Sequence, residues 1–248
     1  MNNASPIREI FSSIQGEGYL AGRRQIFIRM ALCNLACRYC DTDFVASDYC
    51  RVETKPGSSE FERIPESVVF ERIPEIVKEW ILALPGTHHS ISLTGGEPLL
   101  FAETLAAWLP RLSRLLPIHL ETNGSLVTEF GRILPNLTYI SMDMKLPSSA
   151  GCGDMWDIHC SFLEAAAEKN ISVKIVVSTE TTDMEIRRVC TIINAVRPDT
   201  PLFIQPLTSR DGRCGIEPDH LLRLQSLASS FVSDVLVIPQ MHVLMGVL

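Results

Sequence analysis

Positive charge is in short supply in this chain. Lys and Arg number 22 against 29 Asp and Glu, a net charge of −7. Proteins that grip phosphate backbones usually present a basic face, so the balance argues against a nucleic-acid partner. Long apolar runs are missing too. No uninterrupted stretch reaches the roughly 18 residues of a membrane span, so no membrane partner is expected. The opening segment MNNASPIREIFSSIQGEG has no apolar h-region, and no secretory leader is expected. In that setting eight cysteines read as reduced thiols of a cytoplasmic protein.

The remainder is ordinary for a globular chain: 248 residues, 46% hydrophobic and 21% charged. No shift in composition marks a boundary, so residues 1–248 read as a single domain. Short, β-branched, nearly continuous apolar runs predict strands at 25–31, 90–95, 118–122, 139–145, 172–178, 202–207 and 235–240. Amphipathic stretches predict helices at about 74–84, 102–115, 154–169, 183–196 and 218–231. Strand–helix alternation implies right-handed crossovers and a parallel sheet. Six or seven such strands suit an α/β fold of the incomplete, TIM-like barrel kind better than a closed eightfold barrel. One oddity is FERIPESVVFERIPEI, in which Phe61–Glu66 recurs as Phe70–Glu75. It reads as a local duplication lengthening the first crossover, with Pro74 in the first turn of the following helix and Pro65 in a loop or short helix start.

Three of the cysteines cluster, as CNLACRYCDT over 33–42. Structural zinc sites and ordinary iron–sulfur clusters take four protein ligands. Three thiolates at C-x3-C-x2-C leave one metal position for a distant residue or for something that is not protein. Cys50, Cys152, Cys160, Cys190 and Cys214 are scattered and read as packing residues.

Ligands of parallel α/β folds gather at the carboxyl ends of strands. The cysteine loop follows the first predicted strand, TGGEP (94–98) the second and ETNG (121–124) the third. Lys145 ends the fourth, and Gln205 lies in the sixth. The two glycines let backbone approach a ligand closely, and Glu97 supplies a carboxylate for an ammonium.

C-x3-C-x2-C followed by a GGE turn resembles the radical S-adenosylmethionine superfamily. The resemblance implies Cys33, Cys37 and Cys40 as ligands of a [4Fe–4S] cluster, with S-adenosylmethionine on the fourth iron. It also implies Tyr39 beside the cluster and Gly95, Gly96 and Glu97 around the methionine amino group. Within that superfamily, FSSIQGEG (11–18), FIRMALCNLACRYCDT (27–42), ETNG, IQP and PQMHVLMGVL closely resemble the 7-carboxy-7-deazaguanine synthase family, from Phe11 to the last residue. Two places depart from that family's pattern: Gln240-Met241-His242-Val243 stands for Gln-Thr-His-Lys, and Asp143-Met144-Lys145 stands for Ser-Pro-Lys.

The family's reaction is the ring contraction of 6-carboxy-5,6,7,8-tetrahydropterin to 7-carboxy-7-deazaguanine with loss of ammonia, S-adenosylmethionine being reused. The resemblance implies substrate contacts from Ile14, Gln15, Gly16, Glu17, Arg29, Thr94 and His242. It implies cofactor contacts from Glu121, Asp143, Lys145 and Gln205, and a magnesium ion on Thr42. A homodimer, and an electron donor such as flavodoxin or ferredoxin, are further expectations. The residue types suit a pterin: Gln15 offers donors and an acceptor, Glu17 accepts from ring N–H groups, and Arg29 can grip a carboxylate bidentately. Two readings from other classes stay open: an activase that makes a glycyl radical on a partner protein, and a non-catalytic iron–sulfur or zinc module.

Overall fold

The computed structural model describes residues 7–40, 47–209 and 212–247. Its frame is one sheet of ten strands: β1 (Ile7–Ile14), β2 (Arg24–Met30), β3 (Tyr49–Glu53), β4 (Phe61–Pro65), β5 (Ser90–Gly95), β6 (Ile118–Thr122), β7 (Tyr139–Asp143), β8 (Asn170–Val177), β9 (Leu202–Pro206) and β10 (Val235–Val237). The helices are α1 (Glu66–Ala83), α2 (Ala102–Leu112), α3 (Val127–Ile133), α4 (Pro147–Ala150), α5 (Trp156–Ala165), α6 (Asp183–Val196), α7 (Pro218–Ser229) and α8 (Met241–Met245).

The sheet order is β10-β9-β8-β7-β6-β5-β2-β1-β3-β4. From β2 to β10 every neighbouring pair is parallel, a run of seven strands that forms the incomplete barrel. These are the strands expected from apolar runs. Their residues Ile28, Leu93, Leu120, Ile140, Val173 and Ile204, on the face away from the cavity, are buried against the helical layer. Each such side chain contributes about 1.5–3 kcal/mol by leaving water. On the helical layer the rings of Phe130 (α3) and Phe162 (α5) meet at 4.2 Å between centroids.

Three strands lie outside the expected set. β1 runs antiparallel to β2, and β3 and β4 extend the sheet beyond it. The β1 pattern is hard to read because polar side chains are buried in it. Ser12 Oγ accepts from Arg24 Nε at 3.0 Å and lies 2.8 Å from His88 Nε2, and Ser12 N donates to Glu53 Oε2 at 2.9 Å.

The duplicated hexapeptide folds in two ways. Its first copy supplies β4, with Ile64 buried opposite Cys50 and Phe61 under the Arg51 guanidinium at 4.3 Å. Its second copy lies inside α1. The helix therefore starts at Glu66 rather than near 74, Pro65 is its N-cap, and Pro74 is interior rather than in the first turn. Strand pairing for one copy, and burial of Ile73 in the other together with Ile76 and Val77 just after it, override identical local propensity. The packing reading of the scattered cysteines holds for Cys50 and Cys190, which are buried. It does not hold for Cys214, which is exposed, or for Cys152, which sits against Cys37.

Candidate active site at the carboxyl ends of the parallel strands

The chain leaves β2 through Leu32, a non-glycine residue at φ +63°, and enters the cysteine loop. The turn after β5 is hydrogen-bonded onto this exit: Gly96 N donates to Met30 O at 3.2 Å and Glu97 N to Leu32 O at 2.9 Å. Gly95 adopts φ +117°, and a side chain at Gly96 would run into the Leu32 carbonyl. Both positions therefore call for glycine, one by dihedral and one by close approach.

Glu97 sits differently from its expected place. It is fully buried and does not line the cavity. Its Oε1 accepts from Thr122 Oγ1 at 2.9 Å and Leu99 N at 3.0 Å, and its Oε2 from Asn123 N at 2.8 Å. Burial pushes its pKa up to about 7 against these donors. The carboxylate thus ties the GGE turn to the ETNG loop. That loop in turn holds the cysteine segment: Asn123 Nδ2 donates to Asn34 Oδ1 at 2.9 Å, and Asn34 Nδ2 donates to Ser125 Oγ at 2.8 Å.

Cys33, Cys37 and Cys40 all open on one cavity, along with Tyr39, Thr94, Gly95 and Gly96. Burial raises the Cys33 thiol and pushes Cys37 up to about 12. Soft thiol sulfurs suit iron–sulfur clusters. Among the described residues no three metal-binding side chains are gathered on a single point. A multi-iron cluster takes its thiolates on different irons and needs no such convergence, so the donor set fits it. Thr42, expected to hold magnesium, lies outside the described residues.

The same cavity is lined by Ile14, Gln15, Gly16, Glu17, Arg29, Glu121, Asp143, Lys145, Gln205 and His242. Most are wired together. Lys145 Nζ donates to Tyr39 Oη at 3.1 Å and pairs with Asp143 Oδ2 at 2.9 Å. Lys174 Nζ lies 3.0 Å from the same Asp143 oxygen and 2.5 Å from Glu17 Oε2. Glu17 Oε1 accepts from Gln240 Nε2 at 2.9 Å and Gln205 Nε2 at 3.2 Å. Burial alone would raise both carboxyls, but the lysines outweigh it: Glu17 is lowered, and Asp143 falls to about 2. Two acceptors in this group, Asp143 Oδ1 and Gln205 Oε1, are buried with no partner among the described residues. An orphaned buried acceptor costs free energy and calls for a donor.

Gln15 is more committed than expected. Its Nε2 donates to Gln25 Oε1 and Glu121 Oε1, each at 3.0 Å, and its Oε1 accepts from Glu17 N at 3.0 Å. Both amide protons are thus spent inside the protein. Arg29 Nε donates to Glu9 Oε1 at 2.9 Å, while its guanidinium lies 5.2 Å from the Phe11 ring centroid. Phe11 stacks on Phe27 at 5.0 Å and 7°, giving the cavity a flat apolar side. His242 reaches the cavity because Met241 N donates to Gly16 O at 3.0 Å, and only a glycine at 16 leaves room for the imidazole.

Sequence reasoning passed over Lys174, Gln240, Asn123 and the Phe11–Phe27 pair. Lys174 left a signal: it is the one charged residue in the apolar run SVKIVVS. Phe11 and Phe27 left only their alignment across a strand pair, which needs the register to see.

The profile of the radical SAM superfamily matches residues 27–191. A 7-carboxy-7-deazaguanine synthase of Geobacter sulfurreducens is 45% identical over 241 residues, covering 97% of this chain and 96% of its own. One of Methanothermobacter thermautotrophicus is 34% identical, with 98% and 97% covered. In fold, QueE from Escherichia coli matches with a TM-score of 0.57 at 21% identity, covering 97% of this chain and 96% of the other. With these relatives matched along almost its whole length, the chain belongs to the 7-carboxy-7-deazaguanine synthase family of radical SAM enzymes.

Proposed function

We propose that the chain contracts 6-carboxy-5,6,7,8-tetrahydropterin to 7-carboxy-7-deazaguanine, releasing ammonia and reusing S-adenosylmethionine, in 7-deazapurine biosynthesis of the queuosine type. The observation that carries the reading is that three cysteines, a glycine turn and a buried acid–lysine–amide group open on one cavity. Cys33, Cys37 and Cys40 would hold a [4Fe–4S] cluster. When bound, the cluster and S-adenosylmethionine supply the radical that takes hydrogen from substrate.

The chain's own residues bind and orient. Gly95, Gly96, Glu121, Asp143, Lys145 and Gln205 would hold S-adenosylmethionine, with Tyr39 packed beside the cluster. Glu97 would act from behind by fixing the turn. The terminal nitrogens of Arg29 take no partner among the described residues and would grip the substrate carboxylate bidentately. Glu17, kept ionised by Lys174, would accept from pterin N–H groups. Phe11 and Phe27 would cover a flat face, with Ile14, Thr94 and His242 completing the wall and Gln15 holding Glu121 and Glu17 in place.

Residues 1–248 would act as one domain, with Mg2+ joining Thr42 to the substrate and a flavodoxin or ferredoxin supplying the electron. We further propose a homodimer working in the cytoplasm; no helix among the described residues is long and apolar enough to cross a membrane. The test is anaerobic incubation of reduced, cluster-loaded protein with S-adenosylmethionine and the carboxypterin, followed by mass and absorbance of the deazapurine. No product, together with stable capture of a glycyl-radical partner, favours the activase reading. Colourless protein holding one zinc favours the module.

A further inference from the structure

Cys152 stands apart from the other scattered cysteines. Its sulfur lies 4.0 Å from that of Cys37, the one cysteine–cysteine contact among the described residues. The neighbourhood is built rather than accidental. Arg38 N donates to Ala150 O at 2.9 Å, which ties the cysteine loop to the end of α4. Gly151, at φ +71°, packs against the Arg38 side chain and turns the chain so that Cys152 meets Cys37. A disulfide needs sulfurs about 2.05 Å apart, so roughly 2 Å of closure is required. Cys152 lies between two glycines, Gly151 and Gly153, and backbone there can supply it.

We propose that Cys37 and Cys152 are a reversible disulfide site of the cluster-free protein. The oxidant class is a low-molecular-weight disulfide such as oxidised glutathione. One cysteine, as thiolate, attacks it, forming a mixed disulfide and expelling one small thiol. The second attacks the protein-bound sulfur, forming the Cys37–Cys152 bond and expelling the other. The two cysteines lose two electrons and two protons, and the small disulfide becomes two thiols.

The bond is not compatible with Cys37 as a metal ligand. It would shield that sulfur from irreversible oxidation and hold the protein unloaded until a reductant arrives. The linkage stands on geometry alone; its consequence for loading rests on the three-cysteine cluster reading.

The experiment uses the full chain, prepared cluster-free and incubated for hours with excess oxidised glutathione. Expected are the loss of two free thiols per chain and a Cys37–Cys152 peptide pair in a non-reducing digest. Iron–sulfur reconstitution without added thiol should then yield a small fraction of the chromophore obtained after dithiothreitol. Cys152→Ser should remove the linked peptide and restore loading; Cys214→Ser should behave as wild type. Links of Cys37 to Cys33 or Cys40, or glutathione adducts alone, would overturn the proposal, as would oxidised Cys152→Ser protein that loads no better than oxidised wild type. If the cluster reading alone fails, the linked peptide forms but even fully reduced protein takes up no cluster.

Discussion

The Lys174 ammonium stands 2.5 Å from Oε2 of Glu17, joining the middle of β8 to the turn after β1. Lys174 also pairs with Asp143, so one buried cation serves two buried carboxylates. Such a pair is weak evidence of net stabilisation, but breaking it strands a charge. Lys174→Met should therefore destabilise the protein by about 3 kcal/mol in urea unfolding. Lys174 also sets a pH dependence. Asp143 is depressed to about 2, so its contribution is present above the ordinary carboxylate value and lost as pH falls through about 2. Glu17 acts in the same direction. The acid limb of stability should be shallower in Lys174→Met; parallel limbs for the two proteins would count against this role.

Replacing Cys33, Cys37 or Cys40 with Ala should abolish the brown chromophore and all cleavage of S-adenosylmethionine. Cys152→Ala and Cys214→Ala, in reduced protein, should keep both. Loss of the cluster from reduced Cys152→Ala would show a four-cysteine site instead.

Arg29→Lys should weaken substrate binding, because a point ammonium cannot reproduce a bidentate fork. Uncoupled cleavage of S-adenosylmethionine should survive. Titration of substrate binding separates the two effects, and unchanged affinity removes Arg29 from the substrate site.

Glu97→Gln should cost about 1–3 kcal/mol, since the amide turns donors toward a buried N–H that needs an acceptor. The substitution also alters a pH slope of opposite sign to that of Asp143. The folded pKa of Glu97 is raised to about 7, so its contribution is full below the ordinary value of 4.5 and lost as pH rises through about 7. Urea midpoints measured from pH 5 to 8 should fall in wild type relative to Glu97→Gln. A variant as stable as wild type at every pH would deny Glu97 its tie between the two loops.

Thr42→Ala should raise the magnesium concentration needed for turnover while leaving the chromophore intact. Wild-type turnover indifferent to thorough removal of divalent ions would exclude a metal there, whatever the variant does.

Legibility in the sequence followed burial. β5 and β6 have the expected bounds because Ile91, Leu93, Ile118 and Leu120 are buried and a turn sequence, TGGEP or ETNG, closes each strand. Helix α6 does too, because Thr182 and Glu185 form a capping box at its start. β1, β3 and β4 were not legible. β1 buries Ser12 and Ser13 among its apolar residues, and β4 shares its sequence with part of a helix. Within the cavity, residue types pointed to loops that do share one cavity, but not to their partners. Gln15 and Glu97 face inward onto protein donors and acceptors that a linear reading cannot supply. Lys174 stood out as the one charge in its strand, but its pairing with Glu17 and Asp143 was not readable.

The bond from Gln240 to Glu17 has a consequence in time. The turn after β1 and the start of α8 adjoin in one wall of the cavity, although 223 residues separate Glu17 from Gln240. Domains are made from the amino end at about 5–20 residues per second, and contacts of such long sequence separation form slowly. A ribosome-bound chain can present its cysteine loop many seconds before Gln240 and His242 emerge to complete the chamber. A cluster that arrived before Gln240 and His242 emerged would meet an open, half-built site.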